Sequence, residues 1–336
     1  MSFVSIGDLA QGFALRSQNA EVKARLNRLS AELASGRTAD PASRVRGDFR
    51  PLAAIERSLT VMDAYDLATS EAALAGEAMQ GALEQLTGAT QTLGPDLLEM
   101  STLHDGSDLR SIGAQAREWL GQAVAALNTH SAGRSLFAGA TTDVNALASA
   151  DDILAEVSTA VSGLTTASDV LSAIDSWFDT GGGFETMGYT GSTDPTGAVR
   201  VADGQSLSLD ITAADPEIRD VLKSLVTGAL LADDTVLPGD LTERGALCRA
   251  AGEGLLSADG PLTTLRADLG SIQSRIESIQ TENASTRSAY EIARSDILDV
   301  DPYDTATQLQ ATETQLETLY AVTARLSRLS LANYMS

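Results

Sequence analysis

Residue types typical of metalloenzymes and disulfide-bonded folds are scarce in this sequence. Cys248 is the only cysteine among 336 residues, so no disulfide can form within the chain. The only histidines are His104 and His130, and neither has a cysteine or acidic partner at metal-ligand spacing. No stretch is long and apolar enough to span a bilayer. We therefore expect no metal site and no membrane insertion.

Aromatic residues make up only 4% of the chain, so alanine and leucine must fill the core. Such a composition favours helix packing on helix over a thick β-sandwich. The formal net charge is −23, which repels phosphate backbones and anionic lipid. Binding to nucleic acid or to a membrane surface is therefore not expected.

Sequence patterns of catalysis and of ligand binding are also missing. The chain contains no Gly-x-Ser-x-Gly elbow. The triple glycine at 181–183 is followed by Phe-Glu rather than Lys-Ser or Lys-Thr, so it does not indicate a phosphate-binding loop. The pairs Asp151-Asp152 and Asp233-Asp234 lack the surroundings of an EF-hand. We predict no catalytic residues and no cofactor, and hence that the protein is not an enzyme.

Both ends of the chain carry apolar residues at heptad spacing. The first forty residues predict one helix that ends at Ser35-Gly36, where glycine suits a left-handed cap. The last helix begins where Asp301 can cap it and Pro302 can occupy its first position. The heptad residues form a predicted interface set for subunit or chaperone contacts: Leu15, Val22, Leu26, Leu29, Leu33, Leu309, Leu316, Leu319, Leu326 and Leu329.

Between the ends, long helical patterns are interrupted by glycine and proline. A second helix starts near Pro51 and runs towards Met100, with a kink or break expected at Gly94-Pro95. A third helix is predicted over roughly 108–132. Another helix is expected to restart at Gly260-Pro261 and to carry a regular heptad from 269 to 300.

The segment 138–258 differs in character because glycine, threonine, aspartate and serine become frequent. Alternating apolar and polar residues around Asp203-Gly204 predict a β-hairpin. Two short helices are expected, at 151–162 and 215–232. We interpret this segment as an inserted mixed α/β domain.

The predicted fold is mainly α with an inserted α+β domain, and its N- and C-terminal segments form a long antiparallel helical bundle or coiled coil. We divide the chain into a terminal assembly domain (1–40 plus 300–336), a helical rod (41–137 plus 259–299) and the outer domain 138–258. The terminal stripes are narrow, so a lone pair would be marginal and neighbours from other copies are expected. The alternative is that the stripes only form the core of one helical bundle.

Several segments resemble those of the flagellin superfamily, and within it the hook-associated proteins of the hook–filament junction (FlgL type). Near the N-terminus LSAELASG, 29–36, resembles the close of the family's first helix. In the middle, 119–129 with GRSLFAG at 133–139 resembles a second family pattern, and 189–222 resembles the inserted domain. The last helix is similar over 316–320 and 329–335.

The resemblance implies an exported axial protein of the flagellum, located extracellularly at the hook–filament junction. It implies export without a cleaved signal peptide, and residues 1–13 lack the basic and apolar regions of such a signal. The implied partners are other copies of the chain in a ring or short tube, the first hook-associated protein, flagellin and a cytoplasmic export chaperone.

Two other functions remain open from the sequence. A filament flagellin is the first, although the chain lacks the Asn-Thr start common in filament flagellins and has ADPAS, 39–43, after the loop where they have Ala-Asp-Asp-Ala-Ala-Gly. The second is an intracellular acidic coiled-coil adaptor. Secretion by a motile cell distinguishes the flagellar functions from the adaptor, and long-polymer formation distinguishes flagellin from a junction subunit.

Overall fold

The computed structural model describes residues 6–102 and 105–335, and it describes their side chains except at positions 6–9, 11, 327 and 329–335. The described chain is mainly α-helical, as predicted, and most of its helical residues lie in four long helices. The α-helices are α1 (Ile6–Ser35), α2 (Pro41–Arg44), α3 (Arg50–Met100), α4 (Gly106–Leu127), α5 (Ala150–Val161), α6 (Ala167–Phe178), α7 (Pro216–Ala229), α8 (Leu241–Leu298) and α9 (Pro302–Met335).

Strands are few and short, and the described ones form two separate antiparallel hairpins. The first pairs β1 (His130–Ser131) with β2 (Arg134–Ser135), and the second pairs β3 (Val199–Ala202) with β4 (Gln205–Leu207). The second hairpin turns at Asp203-Gly204, where Gly204 adopts a φ of 69°. The hairpin predicted there is confirmed, and its glycine supplies the left-handed backbone that the turn requires.

The chain separates into two compact units, whose boundaries fall inside α3 and α8. The terminal unit comprises Met1–Val61 and Ser285–Ser336, and the central unit comprises Met62–Ala284. The three-domain division with boundaries near 40, 138 and 258 stays a prediction.

The central unit has one large apolar core. Leu83, Leu86 and Leu93 of α3 are fully buried in it, together with residues of α4 to α8. Phe184 and Ile174 belong to the same core, although they come from the segment 138–258 that was predicted as an inserted domain. The core is therefore continuous across position 138.

A second, smaller core lies where the β3–β4 hairpin packs against the heptad of α8. Val201 and Leu207 of the hairpin contact Ile276 and Ile279 of α8, with alanines of α3 at the edge. Asn283 is buried one turn further on, and its side-chain amide donates to the Val201 carbonyl over 2.9 Å. The regular heptad predicted from 269 onwards thus binds the hairpin to the long helices.

The two internal prolines do not end their helices. The predicted restart at Gly260-Pro261 is wrong, and of the kink or break predicted at Gly94-Pro95 the break does not occur. α3 continues through Pro95 and α8 continues through Pro261. A Cβ at Gly94 would meet Leu256 at 3.3 Å, so glycine allows α8 to pack closely against α3. Tertiary packing of this kind outweighs the local preference of proline.

Three helix predictions need correction. α4 ends at Leu127 rather than near 132, because Asn128 caps it and the β1–β2 hairpin follows. The predicted helix 215–232 ends as an α-helix at Ala229 and continues as one 3-10 turn (Leu230–Ala232). The sequence prediction missed α6, whose start is capped by the Thr166 hydroxyl accepting from the Asp169 amide.

Residues within 119–139, which resemble a flagellin-superfamily pattern, have a structural role in the central unit. Asn128 uses both ends of its side-chain amide on Leu147, accepting from the backbone N–H over 2.8 Å and donating to the carbonyl over 3.0 Å. Phe137 is fully buried in the large core. Gly139 has a φ of 60°, and a Cβ there would collide with the Ser192 carbonyl oxygen. These residues are explained by packing rather than by chemistry.

Candidate assembly interface

The first and last helices form an antiparallel pair within the terminal unit. The Lys23 ammonium lies 5.5 Å from the centroid of the Tyr320 ring, whereas the Gly36 carbonyl accepts from the Val300 N–H over 3.0 Å. Residue numbers therefore rise along α1 as they fall along α9. The predicted antiparallel pairing of the chain ends is confirmed.

Burial along the pair follows the heptad positions. In α1, Val22 and Leu29 are buried, and in α9 Leu319 is 9% exposed. Five members of the predicted interface set are half-buried: Leu15, Leu26, Leu309, Leu316 and Leu326. Leu33 is 37% exposed and lies at the edge of the seam. The side chain of Leu329 lies outside the described residues.

Two threonines complete the seam on α9. Thr305 and Thr312 are 5% and 3% exposed and precede Leu319 at intervals of seven. Each hydroxyl donates over 2.7 Å to the carbonyl four residues earlier, Thr305 to Asp301 and Thr312 to Gln308, which satisfies its hydrogen-bonding need inside the seam. The sequence prediction missed both residues, because threonine was not counted among the apolar residues of the heptad. The seven-residue spacing of positions 305, 312, 319 and 326 would have indicated that they share one face of the helix.

A hydrogen-bonded turn fixes one end of the pair. The Glu32 carboxylate is buried and accepts from the Ala39 N–H over 2.9 Å. The Thr38 N–H donates to the Leu298 carbonyl over 2.8 Å, at the end of α8. The Arg44 guanidinium donates to the carbonyls of Ile297 and Asp299 over 3.3 and 3.0 Å. A guanidinium at a helix C-terminus also complements the helix dipole.

The terminal unit has a small core of its own. Among its described residues, the buried hydrophobic ones are Val22, Leu29, Leu59 and Leu319. Several large apolar side chains of this unit remain exposed. The exposed ones in this unit are Phe13, Leu33, Phe49, Val61, Ile292, Tyr303, Tyr320 and Val322.

Charge is divided unequally between the two units. The terminal unit contains thirteen basic and thirteen acidic residues and is neutral, whereas the central unit contains ten basic and thirty-three acidic residues. The whole net charge of −23 therefore resides in the central unit. Copies of the chain can associate through the neutral unit without the like-charge repulsion that the central units experience.

Other candidate chemistry is weak in the described part of the chain. No group of three or more His, Cys, Asp or Glu residues there could hold a metal ion. His130 is exposed with Nδ1 2.9 Å from the Asn128 carbonyl, and His104 lies outside the described residues. Cys248 is fully buried, its Sγ is 3.2 Å from the Leu97 carbonyl, and burial raises its pKa to about 12.

The acidic pairs weighed as cation ligands form turns and ion pairs instead. Asp152 accepts from Ser149 at the start of α5, and Asp151 pairs with Arg117 over 2.7 Å. Asp233 accepts from the Thr235 backbone over 2.8 Å, which lowers the pKa of that carboxyl.

None of the helices in the described ranges combines the length and the apolar character needed to cross a bilayer.

The fold is mainly α-helical, its first and last helices form an antiparallel pair, and part of the chain is similar to a known protein family. Residues 257–335 match the bacterial flagellin C-terminal helical region. This segment contains α8 from residue 257 onwards and all of α9, the helix that pairs with α1. The C-terminal part of the chain is thus similar to flagellins, in agreement with the sequence resemblance.

The chain is similar in fold to a solved structure. A protein described as a flagellar hook-associated protein from Vibrio parahaemolyticus aligns with a TM-score of 0.54 at 13% identity, over 75% of this chain and 99% of that one. FlgL of Bacillus cereus aligns over 84% of this chain and 99% of that one at 16% identity, with a TM-score of only 0.40. No curated protein matches the sequence.

Proposed function

We propose that this protein is a structural subunit of the bacterial flagellum that joins the hook to the filament. The observation that carries the proposal is the flagellin-type C-terminal region, whose last helix pairs with the first helix of the chain. The likeness in fold to a hook-associated protein supports the same function.

In this proposal, copies of the chain assemble into a ring or short tube through the terminal unit. Its helix pair buries few side chains completely and leaves Phe13, Ile292 and Val322 exposed, so packing between copies would cover apolar surface that one chain leaves in water. The predicted interface set contributes the seam of each pair.

The proposed partners follow from a position between hook and filament. The first hook-associated protein lies below and flagellin above, and the site is extracellular. Before export, without a cleaved signal peptide, the apolar stripe of α9 is held by a cytoplasmic chaperone as an amphipathic helix in a groove. Leu316, Leu319 and Leu326 form that stripe, and their burial or partial burial in the folded chain supports the proposal that the stripe is covered by an apolar groove before export.

A gene deletion tests the junction function. We expect the mutant to make hooks but no filaments and to release flagellin into the medium, with both defects corrected by the intact gene. Normal filaments on the deletion strain would contradict the proposal.

A filament flagellin is the second candidate, because the matched region is the C-terminal helical region of bacterial flagellin. Copy number separates the two. A junction subunit is present in few copies and stops growing, whereas a flagellin forms the bulk of sheared filaments. Quantification of the protein in purified flagella decides between them.

A further inference from the structure

The central unit contains a cavity with mainly apolar walls that none of the features above explains. It lies between α3 and the two hairpins, with a volume of about 160 Å³. Its walls include Ala72, Met79, Leu136 and Leu209, and the exposed side chain of Leu74 stands at its rim. An apolar cavity of about 150 Å³ accepts a benzene ring, so this one can hold one aromatic side chain.

The walls of the cavity also include charged and polar side chains. Glu71 and Arg134 both line it, so the lining itself carries one charge of each sign. Ser135 lines it as well, and its hydroxyl is buried without a hydrogen-bond partner. The surrounding central unit carries the whole net charge of −23. An occupant carried on a neutral or basic surface is therefore favoured over an acidic one.

The chain presents one exposed aromatic residue on a basic segment. Phe49 is 46% exposed and closes the loop 37–50, which contains four arginines and two aspartates. The other exposed aromatic residues described differ in setting. Phe13 and Tyr320 lie on the α1–α9 pair, and Tyr303 lies beside the acidic turn 299–304.

The loop holds Phe49 in a defined position. Gly47 N–H donates to the Ala42 carbonyl over 2.9 Å, and Asp48 N–H donates to the Val45 carbonyl over 2.9 Å. Asp48 also accepts from the backbone and the guanidinium of Arg50, over 3.1 and 2.9 Å. An aromatic side chain presented by an ordered turn loses little conformational entropy on docking.

We infer that Phe49 of one copy of the chain docks in the α3–hairpin cavity of a second copy. The contact joins two different surfaces, so it is heterologous, and repetition of such a contact generates a ring or a helical array. The arginine-rich loop approaches an acidic unit, which steers the two copies together. This inference adds a specific contact to the proposed self-assembly and rests on that part of the proposed function.

Cysteine cross-linking between two purified variants tests the contact. Phe49→Cys and Ala72→Cys chains are mixed under mild oxidation at a protein concentration high enough to offset the weaker association expected without the Phe49 ring. We expect a covalent dimer containing one of each, because the docked positions bring the two cysteines within disulfide distance. Cys248 stays in place, since it is buried and its thiol is protonated, and the unsubstituted chain should give no dimer.

Two controls make the outcome decisive. Tyr303→Cys mixed with Ala72→Cys tests random collision, since Tyr303 is an exposed aromatic residue of the same unit. Absence of the Phe49–Ala72 dimer at the highest soluble concentration overturns the inference, and so does equally fast linking by the Tyr303 pair. A dimer that forms between Phe49→Cys chains alone at the same rate also overturns it.

A second variant pair tests the anchor without a disulfide. Phe49→Ser and the cavity-filling Ala72→Phe should each weaken self-association at least about tenfold, as loss of an aromatic anchor does. Melting temperatures of the monomers verify folding, and Tyr303→Ala should associate normally. Unchanged association in both variants overturns the inference. The cross-link tests the contact between copies, whereas the gene deletion tests the junction function. Either experiment can fail while the other succeeds, because a flagellin could form this contact and a junction subunit could lack it.

Discussion

Truncation of Leu319 should separate the stability of the terminal helix pair from that of the central unit. Leu319 is 9% exposed and packs in the seam between α9 and α1. Replacing a buried leucine with alanine costs about 2–5 kcal/mol. The three buried hydrophobic residues of the seam, Val22, Leu29 and Leu319, contribute roughly 5–9 kcal/mol before chain entropy is subtracted. Loss of one of them therefore removes a large share of the pair's stability.

Hydrogen exchange followed by mass spectrometry measures this directly. In Leu319→Ala we expect amides of both α1 and α9 to exchange at least about thirtyfold faster, since 2 kcal/mol corresponds to that factor. Amides of α4, in the central core, should keep their protection. Val322→Ala is the matched control, because Val322 is 43% exposed on the same helix and should change the stability by about 0.5 kcal/mol at most.

Two results would refute this reasoning. If α9 lost protection while α1 kept it, α1 would be stabilised by something other than its partner helix. If α4 lost protection together with the terminal helices, the two units would unfold as one cooperative body, and the small core of the terminal unit would not be independent.

Three further predictions concern the central unit. Burial raises the Cys248 pKa to about 12, so the folded protein should not react with a thiol reagent at about pH 8, and reaction should appear only on unfolding; fast native labelling would contradict this. Gly139→Ala should lower the melting temperature far more than Gly204→Ala, since both have positive φ but only Gly139 faces a backbone oxygen within contact; equal effects would show that φ alone matters. Deletion of 140–250 should unfold α3 and α4, because that segment completes their core, and circular dichroism retaining their helical signal would show that they fold alone.

The parts of the fold that the sequence predicts are those with a repeating pattern. The heptads around Leu29 and Leu319 indicated the terminal pair, and the alternation around Asp203-Gly204 indicated the hairpin. The continuity of α3 through Pro95 could not be predicted, because proline disfavours a helix interior locally and the packing of α8 beside Gly94 involves residues distant along the chain. Tertiary packing of that kind leaves no local signal.

The residues of the candidate interface were likewise only partly predictable from the sequence. Its leucines follow from spacing, whereas the burial of Glu32 depends on hydrogen bonds to Thr38 and Ala39 in the following loop. The cavity beside Met79 is likewise invisible in the sequence, because its walls come from one helix and two hairpins that are distant along the chain. The neutrality of the terminal unit was present in the sequence, but it emerges only once the unit boundaries are known.

The position of the protein on the flagellum tests the proposed function most directly. Gold-labelled antibodies against the central unit, imaged by electron microscopy on intact flagella, should mark a single narrow band where the hook meets the filament. Labelling along the whole filament would contradict the junction function in favour of a flagellin, and labelling confined to the cell interior would contradict a flagellar function altogether.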